Sequence, residues 1–125
     1  MPPESGRIVY IVDDDEAVRD STRLLLESQN VAVRAFATPR AFLAAFQPAG
    51  AGCIVLDLHM PEMSGLELLE TLRGNGVATP VVVVSGRRDA VLDAQIRRAG
   101  VSGIFSKPYD DEALLEQLKI VMASG

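Results

Sequence analysis

The chain has 125 residues, 48% of them apolar, which is enough for one domain with a real hydrophobic core. The formal net charge of -5 argues against a nucleic-acid-binding face on this domain. A single cysteine cannot form an internal disulfide, and no apolar stretch has the length that spans a bilayer. The N-terminus also lacks the basic-then-apolar order of a signal peptide, so we expect a cytoplasmic protein without membrane contacts.

Strand patterns alternate with helix patterns five times along the chain. The third and fourth apolar runs show no polar alternation, so both faces of these strands are expected to be covered, as in a parallel sheet. Arg34 within the second run places that strand nearer an edge of the sheet. The predicted strands are Ile8–Val12, Ala32–Ala35, Cys53–Asp57, Val81–Ser85 and Gly103–Ser106.

The helix patterns carry N-caps, a capping box and terminal glycines. Repeated strand–helix units with right-handed crossovers predict an α/β, doubly wound sheet. The predicted helices are Glu16–Ser28, a second from Pro39 after the N-cap Thr38, a third from the capping box Ser64-Gly65-Leu66-Glu67 to Gly74, a fourth from about Arg88 to Ala99, and a fifth after Asp110.

Polar side chains follow four of the predicted strands. Asp13, Asp57, Ser85 and Lys107 each lie at or just beyond a strand end. Ligands in doubly wound sheets bind outside the carboxyl ends of the strands. We therefore expect these four side chains to meet at one place.

The carboxylates at this place have two interpretations. Asp13, Asp14 and Asp57 would repel one another, and Mg²⁺, which prefers oxygen ligands, would remove that conflict. Alternatively, acids in the first turn of a helix interact favourably with its dipole, by about 0.3–1 kcal/mol each, and this explains Asp15 and Glu16. Taken singly, Asp57 and Ser85 could also be turn residues, and Lys107 a solvated lysine.

Four motifs together give a specific resemblance. They are Val12-Asp13-Asp14, Asp57-Leu58-His59-Met60-Pro61-Glu62-Met63-Ser64-Gly65, Val84-Ser85-Gly86 and Lys107-Pro108. Over essentially its whole length the chain resembles the receiver domain of bacterial two-component response regulators, and the segment Ile11–Ser21 is similar to receivers of the nitrogen-fixation regulator type.

The resemblance implies a flavodoxin-like (βα)5 sandwich with a five-stranded parallel sheet of order 2-1-3-4-5. The receiver domain would cover residues 7–122. Residues 1–6 would form an N-terminal tail, and residues 123–125 a C-terminal tail or the start of a linker.

The resemblance also implies roles for the acidic residues. Asp57 would be the phosphoacceptor. Asp13 and Asp14 would hold Mg²⁺, directly or through water, together with Asp57 and the backbone carbonyl of His59.

The resemblance implies roles for three further positions. Ser85 and Lys107 would contact the phosphoryl oxygens, and the Lys107–Pro108 peptide bond would be cis. Receiver domains usually carry Tyr or Phe three residues before the lysine, where this chain has Ile104. We expect weaker coupling, or different packing, between Ser85 and the output face.

Two residues would border the phosphoryl group and affect its loss to water. Arg87 is expected to alter the access of water or of the phosphodonor. For His59 the favoured interpretation is a solvated loop histidine whose backbone carbonyl alone matters.

The implied function is a signalling switch rather than an enzyme. A sensor histidine kinase would be the phosphodonor, and phosphorylation would change the surface of helix 4, strand 5 and helix 5. A DNA-binding output domain outside this chain and a phosphorylation-dependent homodimer are the further partners that the resemblance suggests.

Other classes of protein fit less well. A dehalogenase-like hydrolase needs a second acid two residues after its nucleophile, where this chain has His59. A nucleotide-binding protein would carry a glycine-rich loop after the first strand. A phosphorylation-independent binding module with the same fold stays open because of Ile104.

Overall fold

The computed structural model describes residues 7–87 and 89–124, and within them strands alternate with helices. The strands β1 to β5 are, in chain order, Ile8–Val12, Ala32–Phe36, Ala51–Asp57, Val81–Ser85 and Gly103–Ser106. The helices α1 to α5 are Glu16–Ser28, Pro39–Ala45, Gly65–Gly74, Ala90–Ala99 and Asp111–Ser124. None of the helices in these ranges combines the length and the apolar character needed to cross a membrane.

Side-chain caps fix where the helices begin. The Asp15 and Thr38 side chains accept hydrogen bonds from amides in the first turns of α1 and α2. At α3, Ser64 and Glu67 form the predicted capping box, in which each side chain accepts from the other residue's backbone amide. Past the end of α1, Asn30 has a φ of 62°, a left-handed conformation that stops the helix.

All five strands are parallel and lie in the order β2-β1-β3-β4-β5. The predicted doubly wound, flavodoxin-like fold is therefore confirmed. β2, which contains Arg34, is an edge strand as predicted. The register pairs Asp57 with Val84 and Ser85 with Ser106, so the carboxyl ends of β3, β4 and β5 lie level with one another.

Alternate strand residues build a core on each side of the sheet. Tyr10 and Leu56 belong to the cluster that packs against α2, α3 and α4, whereas Ile11 and Val55 belong to the cluster under α1 and α5. Every residue of β4 is buried, as its unbroken apolar run predicted. Two covered faces hold the strands rigidly, so their carboxyl ends form a fixed platform for side chains.

Two strands extend beyond their predicted limits. β2 runs one residue further, to Phe36, and β3 begins at Ala51 rather than at Cys53. Ala51 pairs with Ile8 across a register shift. Backbone pairing of this kind extends a strand without any signal in the side-chain pattern.

The ends of α4 and α5 bear on two more predictions. The predicted start of the fourth helix near Arg88 lies outside the described residues, and the described helix begins at Ala90 after the N-cap Asp89. α5 continues through Ser124. The predicted tail 1–6 and residue 125 lie outside the described residues, and the domain limits 7–122 stay a prediction.

Candidate functional site

Four loops at the carboxyl edge of the sheet surround an open cleft of about 410 Å³. Asp57 and Ser85 are the last residues of β3 and β4, while Asp13 and Lys107 directly follow β1 and β5. The predicted convergence of these four positions on one edge is therefore observed. The cleft is lined by Asp14, Asp15, Asp57, His59, Gly86, Arg87 and Lys107.

Three carboxylates meet in this cleft. Asp13, Asp14 and Asp57 each place an oxygen within 4.8 Å of the others. Asp13 and Asp57 are buried, at 2% and 3% exposure, whereas Asp14 is exposed. A buried pair of carboxylates is unfavourable unless a cation compensates it.

Lys107 compensates part of this charge. Its Nζ lies 3.0 Å from Asp13 Oδ2 and 3.5 Å from Asp57 Oδ1, so one ammonium group bridges two buried acids. Burial alone would lower the Lys107 pKa, but its hydrogen bonds and ion pairs with Asp13 and Asp57 outweigh burial and raise it. Lys107 is therefore a fixed positive charge at the centre of the site.

The Asp57 carboxylate is hard to ionise in the metal-free protein. Burial raises its pKa most, and the negative charge of Asp13 raises it further. Lys107 lowers it, yet the result is a pKa of about 7 instead of the ordinary 3.8. One more positive charge would stabilise the ionised form.

The donor set suits a hard divalent cation. Three carboxylate oxygens lie close together, and such oxygens are the ligands that Mg²⁺ prefers. Asp14 is exposed and the cleft is open, which leaves room for the waters that Mg²⁺ usually retains. The residues therefore fit the predicted ion, while the contribution of the His59 carbonyl stays a prediction.

Ser85 is buried, and its hydroxyl is held by the loop that follows β4. Its Oγ donates a short hydrogen bond to the carbonyl of Arg87 and accepts one from the Arg87 amide at 3.1 Å. The His59 ring is half-buried, and its Nε2 lies 3.2 Å from the same Oγ. The ring of His59 thus reaches across the cleft to β4 instead of pointing into solvent as expected, while the interpretation that its backbone carbonyl alone matters stays a prediction.

Ile104 lies on β5 beside Val83 of β4 and packs against the cluster under α2, α3 and α4. The neighbouring Phe105 packs against the opposite cluster. The role of Ile104 in coupling stays a prediction. The Lys107–Pro108 peptide bond is cis, the isomer that the resemblance implied.

Sequence reasoning missed two supports of the site. Tyr109, two residues after Lys107, forms a short hydrogen bond with the buried Thr22 of α1. A threonine on the apolar face of α1 was the available signal, since a buried hydroxyl needs a partner. The other support is Gly65, whose substitution by any larger residue would bring a Cβ within 2.6 Å of the Asp57 carbonyl oxygen.

Comparison with known proteins agrees with this geometry. Residues 9–119 match the family model of the response regulator receiver domain. The transcriptional regulatory protein FixJ of Azorhizobium caulinodans is 40% identical over 111 residues, which cover 89% of this chain and 53% of that protein. The response regulator protein TodT of Pseudomonas putida is 33% identical over 119 residues, which cover 95% and 52%.

Solved structures give the same result. The crystal structure of FixJ-N superposes with a TM-score of 0.83 at 34% identity, and 94% of each chain is covered. A CheY-like receiver domain from Methanospirillum hungatei JF-1 superposes with a TM-score of 0.88 at 29% identity, again over 94% of each chain. The chain spans about half the length of the curated relatives it matches. The resemblance is confirmed: this chain belongs to the response regulator receiver domain family.

Proposed function

We propose that this domain is a phosphorylation-activated switch in which Asp57 accepts a phosphoryl group from a phosphohistidine on a sensor histidine kinase. The observation that carries the proposal is the buried Asp57 carboxylate, which opens into a cleft and lies 3.5 Å from the Lys107 ammonium. A carboxylate placed beside a fixed cation is suited to bind and attack an anionic phosphorus centre.

The transfer makes one bond and breaks another. An Asp57 carboxylate oxygen forms the O–P bond as the P–N bond to the donor histidine breaks, and the electron pair stays on the imidazole nitrogen, which takes a proton from solvent. Phosphoryl transfer depends mainly on alignment and charge neutralisation. Lys107 supplies a positive charge for the phosphoryl oxygens, and Asp13 keeps that ammonium in place at 3.0 Å.

Asp13, Asp14 and Asp57 would hold Mg²⁺ in this cleft. When bound, the ion would add positive charge that neutralises the carboxylates and the phosphoryl oxygens. Loss of the phosphoryl group to water reverses the modification: water attacks phosphorus, the O–P bond breaks, and inorganic phosphate leaves the regenerated carboxylate.

The new charge would then be communicated to a surface. An aspartyl phosphate carries about -1.5 to -2 charges where the ionised carboxylate carried -1, so phosphorylation adds at most about one negative charge, together with strong hydrogen-bond acceptors that Ser85 at the end of β4 would contact. β4 leads into the loop before α4, and the surface of α4, β5 and α5 would change for a partner or an output domain. Since FixJ of Azorhizobium caulinodans is a transcriptional regulatory protein of about twice the length, a DNA-binding output domain outside this chain fits the proposal.

The test is covalent labelling. Incubation with Mg²⁺ and acetyl phosphate or phosphoramidate should add one phosphoryl group, which intact-mass and peptide mass spectrometry should place on Asp57. The variant Asp57→Asn should gain none, whereas Asp20→Asn, at an exposed acid of α1, should be labelled like the native protein. Native protein that stays unmodified with its cognate phosphorylated kinase and Mg²⁺ would refute the proposal.

A phosphorylation-independent binding module is the second candidate, and Ile104 at the usual aromatic position is the observation that favours it. Beryllofluoride with Mg²⁺ separates the two candidates. A switching receiver should change its NMR spectrum around α4 or its oligomeric state, including any dimerisation, whereas a passive module should change neither.

A further inference from the structure

The His59 side chain contacts the hydroxyl that has to move if the domain switches. Nε2 of His59 lies 3.2 Å from Ser85 Oγ and 3.4 Å from the carbonyl oxygen of Arg87. Ser85 Oγ also donates to that carbonyl, so His59, Ser85 and the Arg87 backbone form one hydrogen-bonded group across the cleft. We call this group the Ser85 latch.

The protons of the latch can be assigned from its acceptors. A carbonyl oxygen only accepts, so His59 Nε2 must carry a proton to bond with Arg87. Ser85 has one hydroxyl proton, and it points at the same carbonyl. Its oxygen therefore accepts from both the Arg87 amide and the His59 ring. All these polar groups are satisfied by one another.

This arrangement leaves Ser85 without a proton for a phosphoryl oxygen. To donate to a phosphorylated Asp57, the hydroxyl has to leave the Arg87 carbonyl and turn. The contact between the His59 ring and Ser85 belongs to the arrangement before that turn, and a contact made in one of two states shifts the equilibrium between them.

We propose that His59 is a positioning residue that holds Ser85 in the latched arrangement and so raises the threshold for switching. The inference rests on the proposed function, because it assigns regulation to the same site. The contact is one hydrogen bond that Nε2 shares between Ser85 and the Arg87 carbonyl, so its loss should favour the released arrangement by about two- to tenfold.

The experiment compares two amide side chains that differ only in reach. His59→Gln places an N–H donor near the position of Nε2, whereas His59→Asn is one carbon shorter and cannot reach Ser85. Two quantities are measured by NMR: the Hα–Hβ couplings of Ser85 in the ligand-free protein, and the affinity for beryllofluoride in the presence of Mg²⁺.

If His59 holds the Ser85 latch, the Hα–Hβ couplings of Ser85 in His59→Asn should be averaged over several rotamers. The same variant should bind beryllofluoride about two- to tenfold more tightly. His59→Gln should keep both quantities near the native values. The native histidine, which is the single one in the chain, should show the imidazole ¹⁵N shifts of the Nε2–H tautomer. The latch is overturned if the Asn and Gln variants behave alike, or if Ser85 keeps native couplings in His59→Asn.

A double-mutant cycle excludes a general loosening of the loop. In a Ser85→Ala background, His59→Asn should no longer change the affinity for beryllofluoride, and an undiminished effect would also overturn the latch. Failure of the proposed function would give a different experimental result. Native protein that does not bind beryllofluoride would contradict the switch, whereas the Ser85 couplings of the ligand-free protein would still decide the latch.

Discussion

Lys107 Nζ lies 3.5 Å from Asp57 Oδ1, although Lys107 directly follows β5 and Asp57 is the last residue of β3. The ammonium group is held there by Asp13, which it contacts through both carboxylate oxygens at 3.0 and 3.2 Å. One cation therefore stands between two buried acids. Its removal would leave those acids facing each other.

Lys107→Met should lower the free energy of unfolding at pH 7 in the absence of Mg²⁺. Breaking a buried pair destabilises by about 3–5 kcal/mol, and partial exposure of Lys107 reduces our expectation to roughly 1–3 kcal/mol. The matched control is Lys119→Met at an exposed position of α5, which should change it by less than about 0.5 kcal/mol. Urea unfolding measures both, and equal effects of the two substitutions would contradict a structural role for the ion pair.

The pH dependence of stability follows from Asp57. The pKa of this carboxyl is about 7 in the folded protein, because burial raises it most and the charge of Asp13 raises it further. Its ordinary value is 3.8. Between these two pH values the folded state therefore binds one proton more than the unfolded state. The contribution of this proton to the free energy of unfolding is complete below about pH 4 and is lost as the pH rises through 7. Within this range the free energy of unfolding should fall by at most about 1.4 kcal/mol per pH unit as the pH rises.

Urea unfolding of metal-free protein between pH 5 and pH 8 measures this slope. Asp57→Asn, which cannot ionise at this position, should show a flatter profile. Mg²⁺ should bind more tightly as the pH rises to about 7, because the ion displaces the proton. Identical pH profiles for the native protein and the variant would contradict a raised pKa at this carboxyl.

The sequence predicted the scaffold of the site better than its side-chain contacts. Apolar runs mark each strand end, so Asp57 and Lys107 could be assigned to one edge of the sheet. The direction of a loop side chain has no periodic pattern, and for this reason the sequence does not predict that the ring of His59 reaches β4. The hydrogen bond between Thr22 and Tyr109 joins residues far apart in the chain, and no local rule predicts such a partner.

Arg87 lines the cleft beside Asp57, and its side chain is exposed. A cation at this position would attract the oxygens of a phosphoryl group on Asp57 and would restrict the approach of water. Arg87→Ala should therefore shorten the lifetime of the aspartyl phosphate about two- to tenfold. Arg97→Ala, at an exposed position near the far end of α4, should leave it unchanged, and equal lifetimes in all three proteins would dispose of this role.

Cys53 lies in the middle of the sheet, on β3, and is completely buried. Burial raises the pKa of its thiol to about 12, so almost no reactive thiolate forms at neutral pH. Folded protein should resist iodoacetamide, and alkylation should appear only as urea unfolds the chain. Mass spectrometry follows one site, since the sequence holds one cysteine, and rapid alkylation under native conditions would contradict this burial.

Gly65 and Gly74 are the first and last residues of α3 and test how closely that helix approaches Asp57. A Cβ on Gly65 would come within 2.6 Å of the Asp57 carbonyl oxygen and 2.7 Å of Leu58 Cα, which are backbone atoms that cannot rotate away. Gly65→Ala should destabilise the fold by about 1–3 kcal/mol and slow phosphorylation by displacing Asp57.

A Cβ on Gly74 meets no atom within 4 Å, so Gly74→Ala should be neutral or stabilise by up to about 1 kcal/mol through helix propensity. Urea unfolding and acetyl phosphate labelling compare the two variants, and a Gly65→Ala protein with native stability and native labelling would show that α3 can move away from β3 without affecting the site.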